Sequence, residues 1–158
     1  MTIENEKLKL LNTWMNVKKK LSLTFFQHTK SISFWPKEKG DIFWCELGEN
    51  VGSETNKKRP VLVISSSKKN KRLSHVVIAP ISTTVKYKKY GESDSGLKYS
   101  HHFLLTKSNY PFLKSDSVVK IEQLRTVSKN RLIGYSVGSL DTNSLRIINK
   151  KISSFLDL

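Results

Sequence analysis

The chain of 158 residues contains almost no cysteine, the residue that forms disulfides and many zinc sites. Its single cysteine, Cys45, excludes an internal disulfide and a cysteine-based zinc site. Its apolar runs, such as residues 61–64, are far shorter than the ~20 residues of a membrane-spanning helix. No secretory leader pattern is visible either. We therefore expect an intracellular, cytoplasmic protein without membrane contact, built as one domain with a short appendage.

Acidic residues are also scarce. Lys and Arg number 28 against 13 Asp and Glu, which gives a formal net charge of +15. Such a positive field attracts polyanions, among which nucleic acid is the most abundant in a cytoplasm. The alternative is a lysine-rich surface that is merely solvated. The charge therefore favours a nucleic-acid partner but indicates no chemistry.

The N-terminal segment, residues 1–36, is predicted to be a helical extension with a linker, followed by the main domain, residues 37–158. From Thr2 to about Leu23 no proline or glycine interrupts a helical repeat of Leu8, Leu11 and Met15, with Trp14 beside it. Pro36 disfavours a helix at the residue before it, which indicates a boundary there. We expect the apolar stripe to pack on the main domain or across a dimer; a membrane or another partner is the alternative.

The rest of the chain is predicted to be mainly β. The predicted strands are Asp41–Leu47, Pro60–Ser65, Val76–Ile81, His102–Thr106, Ser117–Ile121, Leu124–Val127 and Leu132–Val137. The second and third should form a hairpin. Asp141 is a good helix N-cap, and Leu145, Ile148, Ile152 and Phe155 then follow on one helical face. The fold class is thus α+β, a small barrel-like sheet closed by a C-terminal helix.

The chain has no phosphate-binding GxxxxGK[ST] and no HExxH zinc signature. The histidines are His28, His75, His101 and His102. On the predicted strand, His101 and His102 would point to opposite faces and could not share a metal ion. We expect no metal site and no cofactor.

Three segments carry residue types that work together in one order. They are Gly52-Ser53-Glu54 leading to Arg59-Pro60-Val61, then Ala79-Pro80-Ile81-Ser82-Thr83-Thr84, then Ile121-Glu122-Gln123-Leu124-Arg125-Thr126. With Lys39-Gly40-Asp41 ahead of them, these segments closely resemble the MazF/PemK family of toxin endoribonucleases. The resemblance covers about residues 39–155.

The resemblance implies an SH3-like barrel with a C-terminal helix, assembled as a homodimer. It also implies metal-independent cleavage of single-stranded RNA at a short sequence motif. The products would be a 2′,3′-cyclic phosphate and a 5′-hydroxyl, and a cognate protein antitoxin would block the RNA groove.

The family's catalytic positions fall on Arg59 and Ser82. Arg59 offers a planar fork for phosphate oxygens, and the family assigns it the acid–base role. Ser82 stands where the family usually has threonine, and it keeps a hydroxyl that can donate to a phosphate oxygen. Thr83 would take this role if the strand ended one residue later.

The RNA-binding positions implied by the resemblance are Ser53, Glu54, Glu122, Gln123 and Arg125. Glu122 and Gln123 match positions for base-edge contacts, and a glutamine amide suits the edge of an unpaired base. Glu54 and Glu122 are the candidates for a general base. Arg125 is either a phosphate contact or a structural arginine.

Three alternatives remain at this point. One is a non-catalytic nucleic-acid-binding module. Another is a gyrase poison on the same fold, which acts through a terminal aromatic motif. The third is a degenerate antitoxin-like or RNA-binding relative, for which Ser82 is the only indication. The chain ends Phe155-Leu156-Asp157-Leu158 without a tryptophan and keeps Arg59, so we favour the nuclease.

Overall fold

The computed structural model describes residues 2–34, 37–89 and 96–158 and, within the first range, the side chains of residues 2–27. The predicted junction at Trp35 and Pro36 lies outside them. The elements are, in chain order, α1 (Ile3–Phe34), β1 (Asp41–Glu46), β2 (Lys58–Val63), α2 (Ser67–Asn70), β3 (His75–Ser82), β4 (Phe103–Leu105), β5 (Ser117–Val119), β6 (Arg125–Ser128), β7 (Leu132–Ser139) and α3 (Thr142–Leu156), with 3-10 turns at Ile121–Gln123 and Lys129–Arg131.

The strands form one antiparallel sheet in the order β4-β5-β3-β2-β1-β7, and β6 also pairs with β3. The predicted β2–β3 hairpin is confirmed, with Val61 opposite Pro80. Strand β3 pairs with β6 through residues 75–78 and with β5 through residues 81–82. It therefore joins two parts of the sheet, and its last residues lie beside the turn that follows β5.

Apolar residues pack on both sides of the central strands. Ile42 and Leu62 belong to one buried cluster, together with Ile148 of α3. Phe43, Val61 and Val63 belong to the cluster on the other side. Because side chains alternate along a strand, the unbroken apolar run of β2 fills both clusters, as is typical of a strand buried on both faces.

Helix α3 begins as predicted, since the Asp141 side chain accepts a hydrogen bond from the Ser144 main-chain N–H at 2.9 Å. Ile148 is fully buried, and Leu145 and Ile152 pack against the same cluster. Phe155 differs from the prediction, because it is 44% exposed and its ring lies 5.2 Å from the His101 ring. The helix therefore contacts the sheet mainly through its first three turns.

Helix α1 is longer than predicted. It continues to Phe34 because no residue before Pro36 breaks it. It contacts the domain through Trp14, which lies against Gly48 and under the Arg131 guanidinium, and through Lys7, which pairs with Glu49 at 2.6 Å.

The predicted packing stripe of α1 is wrong except for Trp14. Leu8, Leu11 and Met15 remain 57%, 38% and 49% exposed. The half-buried residues of the helix are instead Lys7, Trp14, Val17, Leu21 and Phe25. They recur at three-, four- and seven-residue steps, which places them on one face. No helix within the described residues is long and apolar enough to cross a membrane.

Candidate functional site

A cleft of about 510 Å³ lies between the loop before β2, the end of β3 and the turn after β5. Six of the eight site residues predicted from the sequence line it: Ser53, Glu54, Arg59, Ser82, Glu122 and Gln123. They come from three segments that are far apart in sequence. The pairing of β2, β3 and β5 brings these segments together.

The loop between β1 and β2 is closed at its base by main-chain hydrogen bonds. The Lys57 N–H donates to the Gly48 carbonyl at 2.7 Å, and the Leu47 N–H donates to the Lys57 carbonyl at 3.1 Å. Gly48 has a φ of +90° and Lys57 a φ of +67°, so the chain reverses sharply at both positions. Inside the loop, the Asn50 side chain donates to the Thr55 carbonyl at 2.7 Å. Ser53 and Glu54 are thereby carried at the tip of an ordered loop.

Arg59 lies at the start of β2, opposite Cys45 of β1. Its Nε donates to the Asn56 carbonyl at 3.0 Å, which orients the guanidinium. Among the described residues, its two terminal nitrogens have no hydrogen-bond or ion-pair partner. Arg59 is half-buried, so a fixed cationic fork faces the cleft with donors available.

Of the two candidate hydroxyl residues, Ser82 lines the cleft and Thr83 does not. Ser82 ends β3, is 7% exposed, and its Oγ accepts a hydrogen bond from the Thr84 N–H at 3.2 Å. The Ser82 O–H has no acceptor in the part of the chain that the structure describes, so it is available to donate. Thr83 is exposed and does not line the cleft, whereas Thr84 does.

Glu122 and Gln123 lie on the 3-10 turn that joins β5 to β6. The Lys120 N–H donates to the Pro80 carbonyl at 2.9 Å, which ties the start of this turn to β3. Gln123 Oε1 accepts from the Thr55 N–H at 3.0 Å, so the turn also holds the β1–β2 loop.

Two histidines belong to the site and were missed. The sequence predicted that His101 and His102 point to opposite faces of a strand, which is wrong. They precede β4, in a turn where the His102 N–H donates to the Tyr99 carbonyl at 3.1 Å. Their rings lie 4.9 Å apart, and both Nε2 atoms face the Glu122 carboxylate. The polar Lys98-Tyr99-Ser100 segment before them is the one signal of a turn at this point.

Arg125 does not line the cleft. It lies on β6 opposite Ile78, and its charge acts on Cys45 and Arg131 on another part of the sheet. Arg125 therefore lies away from the other candidate residues, and the structural role that the sequence left open stays a prediction. Burial raises the pKa of the Cys45 thiol to about 12, although Arg131 and Arg125 oppose the shift, so Cys45 is a protonated core residue.

The cleft carries charges of both signs. Arg59, Lys86 and Lys120 supply cations, and Glu54 and Glu122 supply carboxylates. The arrangement suits a ligand that has anionic groups and hydrogen-bonding edges side by side, as a nucleotide has.

Comparison with known proteins decides the family. Residues 38–156 match the family described as the PemK-like, MazF-like toxin of type II toxin–antitoxin systems. The chain belongs to this family. The protein named Endoribonuclease MazF of Staphylococcus saprophyticus is 34% identical over 94 residues, which are 60% of this chain and 70% of that protein.

Solved structures agree on the fold, although their sequences are distant. MazF of Deinococcus radiodurans has a TM-score of 0.58 at 18% identity, over 78% of this chain and 99% of that one. A MazE–MazF structure from the same organism has a TM-score of 0.52 at 18% identity, over 78% and 98% of the two chains. The fold is therefore MazF-like, an antiparallel sheet with helices at both ends.

Proposed function

We propose that the chain is an endoribonuclease that cuts single-stranded RNA, such as mRNA, at a short sequence motif. The observation that carries the proposal is that Arg59, Ser82 and the Glu122–Gln123 turn line one cleft in a member of this toxin family. The relative named above, Endoribonuclease MazF, supports the class of reaction.

The reaction starts from the RNA itself, since its 2′-hydroxyl attacks the adjacent phosphorus. The enzyme then needs neither a nucleophile nor a metal ion. It must stabilise the additional negative charge on the phosphorane, remove the 2′ proton and protonate the leaving 5′-oxygen. The products are a 2′,3′-cyclic phosphate and a 5′-hydroxyl.

Arg59 and Ser82 stabilise the negative charge that develops on the phosphoryl oxygens. The two free terminal nitrogens of Arg59 donate to phosphoryl oxygens, and the Asn56 carbonyl holds the guanidinium in place. The Ser82 O–H donates to one of the same oxygens. An arginine pKa above ~12 suits Arg59 to charge stabilisation and proton delivery more than to proton removal, which we assign to Glu54 or Glu122.

Base recognition falls to the turn and the loop. Glu122 and Gln123 present acceptors and a donor to the Watson–Crick edge of an unpaired base. Ser53 and Glu54, on the loop that Gln123 holds, close over the RNA strand. Thr83 and Arg125 have no contact with RNA in this proposal.

We further propose that the protein works in the cytoplasm as a homodimer and is neutralised by a protein antitoxin. The structure of MazE–MazF from Deinococcus radiodurans, a relative with the same fold, supports an antitoxin partner. Apolar surface exposed on neighbouring strands, at Trp44, Tyr135 and Val137, supports further protein contacts. Residues 1–36 form an extension that adds stability, not chemistry.

The direct test is cleavage of a long, unstructured RNA by the purified full-length protein in EDTA, with the cut ends mapped. We expect defined cuts with 5′-hydroxyl ends that ligate only after phosphorylation. Intact RNA would contradict the proposal, and tight RNA binding without cuts would favour a non-catalytic binding module.

A further inference from the structure

Three side chains converge at one wall of the cleft. The His102 Nε2 lies 3.1 Å from both carboxylate oxygens of Glu122, and the His101 Nε2 lies 3.4 Å from Oε2. One nitrogen or oxygen atom from each residue lies within 4.8 Å of the other two. The two imidazole rings meet at 89°, so both nitrogens face the carboxylate from different directions.

These side chains are held in place by separate parts of the fold. The ring of Tyr99 packs 5.0 Å from the His102 ring, and His102 is only 5% exposed. The ring of Phe155, on α3, packs 5.2 Å from that of His101. Glu122 is carried on the 3-10 turn after β5. Their convergence therefore needs little further ordering on binding, which lowers its entropic cost.

We propose that His101, His102 and Glu122 bind a divalent transition-metal ion, with zinc as the reference ion. Two imidazole nitrogens and a carboxylate are a common zinc ligand set that leaves a fourth position open. Bonds of ~2.0–2.2 Å at tetrahedral angles put neighbouring ligand atoms ~3.3 Å apart. The distances of 3.1 Å and 3.4 Å to Glu122 match this spacing, and the three ligand atoms already lie within 4.8 Å of one another.

The two imidazole nitrogens among the ligands make magnesium and calcium poor candidates for this site. Magnesium and calcium prefer oxygen ligands, whereas imidazole nitrogens select zinc, copper, nickel and cobalt. Arg59, Lys86 and Lys120 line the same cleft and repel a cation. We therefore expect a micromolar rather than a nanomolar site.

A bound ion would inhibit RNA cleavage, and this consequence rests on the proposed function. The ion would coordinate the Glu122 carboxylate, which is then unavailable to contact the RNA base. It would also occupy the cleft that Arg59 and Ser82 line. Metal binding and RNA binding would then exclude each other. The reaction itself would remain metal-independent and active in EDTA.

The binding test uses the full-length protein, stripped with EDTA, dialysed and titrated with Co²⁺ as a coloured substitute for Zn²⁺. We expect the strong visible absorption of four-coordinate Co²⁺, with one ion bound per chain and displaced by Zn²⁺. His101→Gln should weaken binding at least ~tenfold. His75→Gln is the matched control, because His75 is exposed at the start of β3 and does not line the cleft. Circular dichroism confirms the fold of each variant.

Three results would overturn the proposal: no Co²⁺ absorption, unchanged affinity in His101→Gln, or equal weakening in His75→Gln. A separate assay measures cleavage with and without Zn²⁺, each variant relative to its own rate in EDTA. Inhibition of wild type and of His75→Gln, with resistance in His101→Gln, supports the inhibitory role. Cleavage unaffected by saturating Zn²⁺ would contradict that role. A protein that binds Co²⁺ but never cuts RNA would refute the proposed function alone.

Discussion

The main-chain N–H of Thr55 donates a 3.0 Å hydrogen bond to Oε1 of Gln123, 68 residues further along the chain. Through this bond the Ile121–Gln123 turn, which we propose contacts the RNA base, also anchors the β1–β2 loop. We propose that this loop closes over the same base. The Gln123 amide N–H lies 3.5 Å from the Ser53 carbonyl, at the limit of a hydrogen bond. Gln123 thus has two separable roles, in loop anchoring and in base recognition.

Substitutions at Gln123 separate these roles. Gln123→Ala removes the acceptor for Thr55 and should expose the loop to trypsin at Lys57 and Lys58. Gln123→Glu keeps that acceptor but loses the amide donor, so it should resist trypsin like wild type and change which RNA sequences are cut. Equal protease sensitivity of both variants would contradict the anchoring role.

Arg59→Ala should lower the cleavage rate by ~10²–10³-fold, which corresponds to about 3–4 kcal/mol of transition-state stabilisation. Arg59→Lys should restore little, because an ammonium group cannot bridge two oxygens as a guanidinium does. Single-turnover cleavage measures both, with thermal melting as the check on folding. Near-normal cleavage by Arg59→Lys would show that the geometry of the fork is unimportant.

Ser82→Ala should slow cleavage strongly, since it removes the hydroxyl that donates to the phosphorane. Ser82→Thr keeps the hydroxyl and should preserve or raise the rate. Thr83→Ala is the matched control, because Thr83 is exposed and does not line the cleft. The opposite ranking of the two alanine variants would assign the hydroxyl role to Thr83.

Trp14→Ala should destabilise the protein by about 1–3 kcal/mol, because its ring is packed between Gly48 and Arg131. Met15→Ala, next to it but 49% exposed, should stay within ~0.5 kcal/mol of wild type. Urea unfolding measures the free energy of unfolding of both variants.

Deletion of residues 1–36 should also lower the melting temperature and leave the RNA cleavage sites unchanged. A several-fold faster cleavage after deletion would instead make the extension inhibitory.

The Asp141 carboxylate should make the folded protein less stable at acid pH. The Tyr110 hydroxyl, at 2.6 Å, and then the Ser144 main-chain N–H lower the pKa of the Asp141 carboxyl in the folded protein. A lowered pKa stabilises the fold above the unfolded value of ~3.9, and this stabilisation is lost as the pH falls below it. Asp141→Asn should therefore be less stable than wild type at pH 7, and the difference should shrink below about pH 4. A pH-independent difference in unfolding free energy would contradict this assignment.

Most of the fold could be predicted because its signals are local. The apolar run of β2, the alternation in β1 and the Asp141 cap each depend on a few neighbouring residues. The predictions failed where long-range packing decides. Helical periodicity indicated Trp14 but could not show that Leu21 and Phe25, rather than Leu8 and Met15, lie on the less exposed face of α1. The missed histidines are similar: because His101 and His102 lie in a turn before β4 and not on the strand, both rings can face Glu122.

The order and types of residues were enough to determine that the chain is a basic, mainly β protein with Arg59, Ser82, Glu122 and Gln123 as its candidate chemical groups. The charge follows from composition, the strands follow from local residue patterns, and the candidate groups follow from the resemblance to the MazF/PemK family; none of these needs coordinates. Only the tertiary structure decided that Ser82 and not Thr83 lines the cleft, that Arg125 lies away from it, and that two histidines meet Glu122. Each depends on where strands β3 and β5 pair and where a strand begins, because a shift of one residue turns a side chain to the opposite face.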